Sequence, residues 1–130
     1  MMDALLILLL PILIQIESNG DDKAIGDHGA AVGCMQIHEI MVDDVNRILG
    51  GNYFSYADRL NRKKSKEMAA VYFYNYKGRG FDKLTTREQL IQLGRQWNGG
   101  PNGHHKKATQ NYGLKIKAIY LEKVNGKVRH

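Results

Sequence analysis

The chain has 130 residues, of which 43% are hydrophobic and 25% charged, and it carries a formal net charge of +6. Apolar residues recur without a low-complexity tract, which excludes a disordered chain, and the length suits one domain. The single cysteine, Cys34, excludes an intrachain disulfide and a cysteine-based zinc site, so packing alone must hold the fold.

The positive charge favours anionic partners in general. Lys and Arg fall in Arg59 to Lys66, Lys77 to Arg79, Lys106 with Lys107, and Lys115 to Arg129. No aromatic and basic residues interleave in a nucleic-acid motif, so a solvated basic surface is expected and a nucleic-acid partner is not.

The run Ala4 to Ile16 follows Asp3 rather than a basic segment, and no small-residue cleavage site follows it. It is short of the roughly 20 apolar residues that cross a membrane. A buried first helix is expected, with Pro11 a possible kink and an export segment the alternative. Asn19 to Gly33 has four glycines among polar residues and no helical period, which predicts a long loop or small hairpin. A loop of that length in a compact domain is usually functional.

Met41, Val45, Ile48 and Leu49 predict one face of a second helix, stopped by Gly50 and Gly51. Met68, Val71, Tyr72 and Tyr76 predict a third, over Ser65 to Tyr76. Thr85 and Glu88 have capping-box spacing, and Leu90, Ile91, Gly94 and Trp97 follow at helical spacing to an end near Asn98. Gly99 to Gly103 breaks that helix, and Ala108, Tyr112, Ile116, Ile119, Tyr120 and Val124 mark a long last one. The predicted fold class is mainly α with a small irregular or β-hairpin loop, one domain over 1–130.

Glu17 closes the apolar first helix directly before Ser18, where buried surface meets the mouth of the loop. Desolvation there would raise its pKa and leave an acid able to protonate a glycosidic oxygen. A helix-terminal glutamate facing water is the plainer reading of position alone.

Glu17-Ser18, followed by Gly26-Asp27-His28-Gly29-Ala30-Ala31-Val32-Gly33-Cys34-Met35-Gln36-Ile37, resembles the Glu-Ser and Gly-Leu-Met-Gln pattern of lytic transglycosylases and goose-type lysozymes. Trp97-Asn98-Gly99-Gly100-Pro101-Asn102-Gly103 is similar to the Tyr-Asn-Ala-Gly-Pro-Gly turn of the same superfamily, and Thr109, Tyr112 and Lys115 to its last helix. The resemblance implies an α+β lysozyme-like fold with Glu17 as catalytic acid and Ser18 orienting it. It further implies Met35 and Gln36 lining a sugar cleft, Asn98, Gly99 and Pro101 forming its opposite wall, and Tyr112 bonding to the Glu17 carboxyl. Gly33 fits a close approach to backbone or sugar.

Cys34 stands where Leu is usual, Gly99 where Ala is, and Trp97 where Tyr is. Asp27 matches the Gly-Asp pair of goose-type lysozymes and is the second catalytic candidate, as the holder of a water. A hydrolase of the inverting kind needs two carboxylates about 6.5 to 9.5 Å apart, whereas a lytic transglycosylase needs one. The second goose-type aspartate falls at His38, which weakens the hydrolase case. Asp21, Asp22 and Asp43 read as solvated loop or helix-start residues.

His28, His38 and Glu39 fit no metal signature, so no metal and no cofactor is expected. His104, His105, Lys106 and Lys107 read as an exposed basic turn. The implied partner is the peptidoglycan glycan strand, cut at the β-1,4 bond between N-acetylmuramic acid and N-acetylglucosamine by a monomer acting in the cell wall or periplasm. A catalytically idle glycan-binding module of a phage particle is the alternative.

Overall fold

The computed structural model describes residues 2–128; Arg129, the end of the last basic stretch, lies outside them. The chain forms α1 (Met2–Ser18), β1 (Ile25–Gly26), β2 (Ala31–Val32), α2 (Glu39–Leu49), α3 (Arg62–Tyr76), α4 (Thr86–Gly99) and α5 (Gln110–Val128), with short 3-10 turns between. It is mainly helical with one small antiparallel sheet, pairing Ile25 with Val32 and Gly26 with Ala31. The loop after the first helix is thus a hairpin. Among the described residues, contacts give two compact units, one over 14–75 and the other over 2–13 with 76–128.

α1 is rich in strong helix formers, with six leucines beside Met2, Ala4, Gln15 and Glu17, and burial of its apolar face holds its isoleucines and Pro11 in the helix. Met2, Leu5, Leu6, Leu9, Leu10, Ile12, Leu13 and Ile14 are buried. Asp3, Ile7, Pro11 and Gln15 form the exposed stripe, each four residues from the next. Pro11 therefore falls on the side where a backbone carbonyl deprived of its N–H donor meets water. Among the described residues no helix is long and apolar enough to cross a membrane.

In the Ile14–Asn75 unit, Cys34, Met35, Ile37, Val42, Val45, Met68, Ala69, Tyr72 and Phe73 are buried. The α2 face is turned from the predicted one: Val42 and Val45 are buried, while Leu49 is exposed. On α3, Ser65, Ala69 and Phe73 join Met68 and Tyr72 in burial, whereas Val71 and Tyr76 are only half-buried.

In the other unit α4 packs on α5. The Thr85 capping box is present: Glu88 N–H donates to Thr85 Oγ1 at 3.2 Å and Thr85 N–H to Glu88 Oε1 at 2.9 Å. These bonds hold the Glu88 carboxyl below its ordinary pKa. Leu93 and Gln96 are buried beside Leu90, Gly94 and Trp97. The last helix begins at Gln110, so Thr109 closes a 3-10 turn before it and Ala108 is exposed.

Candidate active site

Glu17 is half-buried, one residue before the end of α1. The helix stops there because Asn19 and Gly20 turn left-handed, at φ 53° and 90°. Ser18 then joins the helix end to the loop. Its Oγ donates to the Cys34 carbonyl at 2.7 Å and lies 3.2 Å from the Ile14 carbonyl, and it accepts the Gly20 N–H at 3.2 Å. From α3, Arg62 Nε donates to Asp22 at 2.7 Å, and its NH2 to the Gly20 carbonyl at 2.5 Å.

Four non-glycine residues among those described have positive φ: Asn19, Asp27, His28 and Gln36. All lie between the end of α1 and the start of α2. Such backbone persists only where its surroundings over-determine it, and it gathers at functional loops. At Gln36 the side-chain Nε2 donates to the carbonyls of Ala24 (3.2 Å) and Gly33 (3.0 Å), and its own N–H to Gly33 at 3.1 Å. Gln36 is therefore a brace of the loop, and its Oε1 sits against the Gly26 backbone, where a Cβ would collide with it.

Met35 does not line an open cleft as expected. It is fully buried and supports the loop from beneath, because the Gly33 to Gln36 turn points it into the core. Cys34 is buried too, and burial pushes its thiol above the usual pKa, so it is a poor nucleophile. At Gly33, with φ 86°, a Cβ would overlap the Arg59 carbonyl oxygen; the close approach is to backbone.

Arg59 was expected on a solvated basic surface, yet it is 8% exposed. Its Nε donates to the Tyr56 carbonyl (2.8 Å) and its NH1 to the carbonyls of Ile37 (3.1 Å) and Ala30 (3.4 Å). Its own carbonyl accepts Ser65 Oγ–H at 3.0 Å. The guanidinium fork supplies donors to carbonyls on both sides of the Gly33 turn. The run of charge around it concealed this role; only its place between Tyr56 and Leu60, away from the following Arg62 to Lys66 cluster, hinted at it.

Asp27 is exposed and paired, with Oδ2 2.9 Å from His38 Nε2. Of the spare aspartates, Asp22 holds Arg62, Asp43 accepts the Tyr56 hydroxyl, and Asp21 accepts the Lys23 N–H. Among the described residues no three His, Cys, Asp or Glu side chains gather as for a metal ion.

The second group of expected site residues lies in the other unit. Asn98 and Pro101 are exposed and Gly99 half-buried. Gly100, at φ 90°, ends α4 with its N–H on the Gln96 carbonyl. Buried Gln96 sends its Nε2 to the carbonyls of Pro101 and Tyr76, both at 2.8 Å. Lys106 Nζ donates to the Gly99 carbonyl at 2.7 Å. Thr109 Oγ1 donates to the Gly103 carbonyl at 2.5 Å and accepts Arg95 Nε–H at 2.9 Å. Tyr112 is buried at 8% exposure. Sequence reasoning missed Gln96 and Arg95, whose only signal is their position directly before Trp97-Asn98. It also read His104 as exposed; the ring is partly buried, with Nδ1 enclosed and without a hydrogen-bond partner among the described residues.

A mainly helical chain with a two-stranded hairpin after its first helix, and a glutamate closing that helix beside the hairpin, has the α+β lysozyme-like fold. The chain matches the family model of the transglycosylase SLT domain over residues 3–120, and it belongs to that family. The family's general activity is cleavage of peptidoglycan by lytic transglycosylases. No curated protein and no solved structure matches the chain.

Proposed function

We propose that the chain is a lytic transglycosylase that cuts the β-1,4 bond between N-acetylmuramic acid and N-acetylglucosamine, with Glu17 as general acid and then base. The observation that carries the reading is the half-buried Glu17 at the end of α1, beside a Ser18 tied to the Cys34 carbonyl, within the span matched to the SLT family. As an acid Glu17 gives its proton to the glycosidic oxygen while the C1–O bond breaks. As a carboxylate it then takes the proton of the muramyl C6 hydroxyl while that oxygen bonds to C1. The 1,6-anhydro ring closes, the proton is back on Glu17, and no water is consumed.

The pairing of Asp27 with His38, at the position of the second goose-type aspartate, supports this route over hydrolysis. Asn98, Gly99, Pro101 and Tyr112 retain as proposals the substrate-binding roles that the resemblance gives them. Ser18 and Gln36 act by holding the loop. The substrate puts the site of action in the cell wall or periplasm.

The test is mass spectrometry of fragments released from purified peptidoglycan, with Glu17→Gln as the blank. Anhydro-muramyl ends from the native chain alone are expected. Reducing muramic acid ends, one water heavier, overturn the transglycosylase route in favour of a lysozyme. Cleavage by the folded variant removes Glu17, and no cleavage by either leaves a glycan-binding module.

A further inference from the structure

Along the C-terminal half of α2 lies a shallow polar pocket of about 360 Å³, lined by Asp43, Asn46, Arg47, Gly50, Gly51 and Asn52. Two exposed tyrosines adjoin it, and neither hangs free. The Tyr53 ring, 64% exposed, rests on Gly51, where a Cβ would stand 3.0 Å from its Cε2. The Tyr56 ring, 43% exposed, is held at its hydroxyl by Asp43 Oδ1 at 2.9 Å and has the Arg59 guanidinium 5.6 Å from its centroid.

The loop carrying both rings is pinned. Asn46 Nδ2 donates to the Phe54 carbonyl at 2.9 Å, and Phe54 N–H returns to Asn46 Oδ1 at 3.0 Å. Ser55 N–H is accepted by Asp58 at 2.9 Å. The backbone that carries the rings is thus ordered before binding, and Tyr56 is held at its hydroxyl as well.

We infer that Tyr53, Tyr56 and the polar pocket beside them form an accessory subsite for the N-acetylated glycan strand, outside the residues placed at the reaction. A pyranose offers an apolar C–H face and a rim of hydroxyl and acetamido groups. Exposed aromatic plates on an ordered backbone, beside Asp43, Asn52 and Arg47, complement both. A nucleic acid fits worse, because Asp43 puts a carboxylate in the pocket and the Arg47 guanidinium there is already paired with Asp44 at 2.7 Å. Tyr56 is joined through Arg59 to the carbonyls of Ala30 and Ile37, so the subsite is continuous with the hairpin loop. The choice of glycan as ligand rests on the proposed function; the polymer extends past the bond that is cut.

The experiment is a titration of the full chain with the tetramer of β-1,4-linked N-acetylglucosamine, followed by NMR at the amides of Gly50, Gly51, Asn52 and Tyr53. These amides are expected to shift. Tyr53→Ala is expected to weaken that binding roughly 2- to 10-fold, the worth of one aromatic contact, and Tyr53→Phe to restore it. Unmoved amides, or an unchanged affinity in Tyr53→Ala, overturn the subsite. Because Tyr53 is mostly exposed, its loss does not threaten folding. Cleavage of peptidoglycan by Glu17→Gln is measured in parallel: residual cleavage with shifting amides sinks the catalytic reading and keeps the subsite, and Glu17-dependent cleavage with unmoved amides does the reverse.

Discussion

Ser18 Oγ stands 2.7 Å from the carbonyl oxygen of Cys34, sixteen residues further along the chain. One hydroxyl thereby sets the end of α1, and with it Glu17, against the turn that follows the hairpin. Ser18→Ala leaves the Cys34 carbonyl and the Gly20 N–H without this partner, at a cost of about 1–3 kcal/mol. Turnover of peptidoglycan should fall more than stability, since the carboxyl next to Ser18 loses its fixed position. Thermal melts and initial rates on the same preparation check this, and a variant with native turnover sinks the positioning role.

Arg59 is the strut on the other side of that turn. Arg59→Met removes donors from three backbone carbonyls while keeping much of the side-chain volume, and should cost about 2–4 kcal/mol. Arg59→Lys should rescue little, because one ammonium cannot reproduce the planar fork. Urea unfolding midpoints of both variants decide it; a fully stable lysine variant would show that charge, not geometry, is what the site needs.

Asp27 tests the route of the reaction. A group that activates water contributes roughly 10²–10⁴-fold, so a hydrolase should lose that much in Asp27→Asn. The transglycosylase reading expects a loss below about tenfold, with anhydro ends still the product. Rates and product masses from one digest separate the two.

His104 gives the fold a pH dependence. Burial, followed by the nearby charges of His105 and Arg95, pulls its pKa below the ordinary histidine value. The unfolded chain therefore takes up a proton at a higher pH than the folded one. Above the usual value, about 6.5, both forms are neutral and nothing is lost. As pH falls below it, stability declines until the folded-state value is passed, and then levels off. His104→Phe keeps a ring in the half-buried seat and should flatten this part of the melting temperature against pH; an unchanged slope would assign it to other groups.

The helices were legible in the chain because each depends on local pattern. The Thr85 and Glu88 pair, the apolar run before Glu17 and the glycines after Leu49 act over one or two turns of backbone, so spacing alone reveals them. The motifs from Glu17 to Tyr112 were likewise readable as a family resemblance, and the SLT match bears out that family. What tertiary structure alone decided are relations between residues far apart in sequence. Met35 and Gln36 are neighbours in one motif, yet one is buried and the other braces the loop, since a left-handed turn at Gly33 and Gln36 aims them apart. Arg59 and Arg62 sit in the same basic run, but only Arg59 is buried, because carbonyls of Ala30 and Ile37 converge on it from more than twenty residues away. Charge in a sequence reports what a side chain carries; the hydrogen-bond acceptors that fold around it determine whether it faces water or holds a site together.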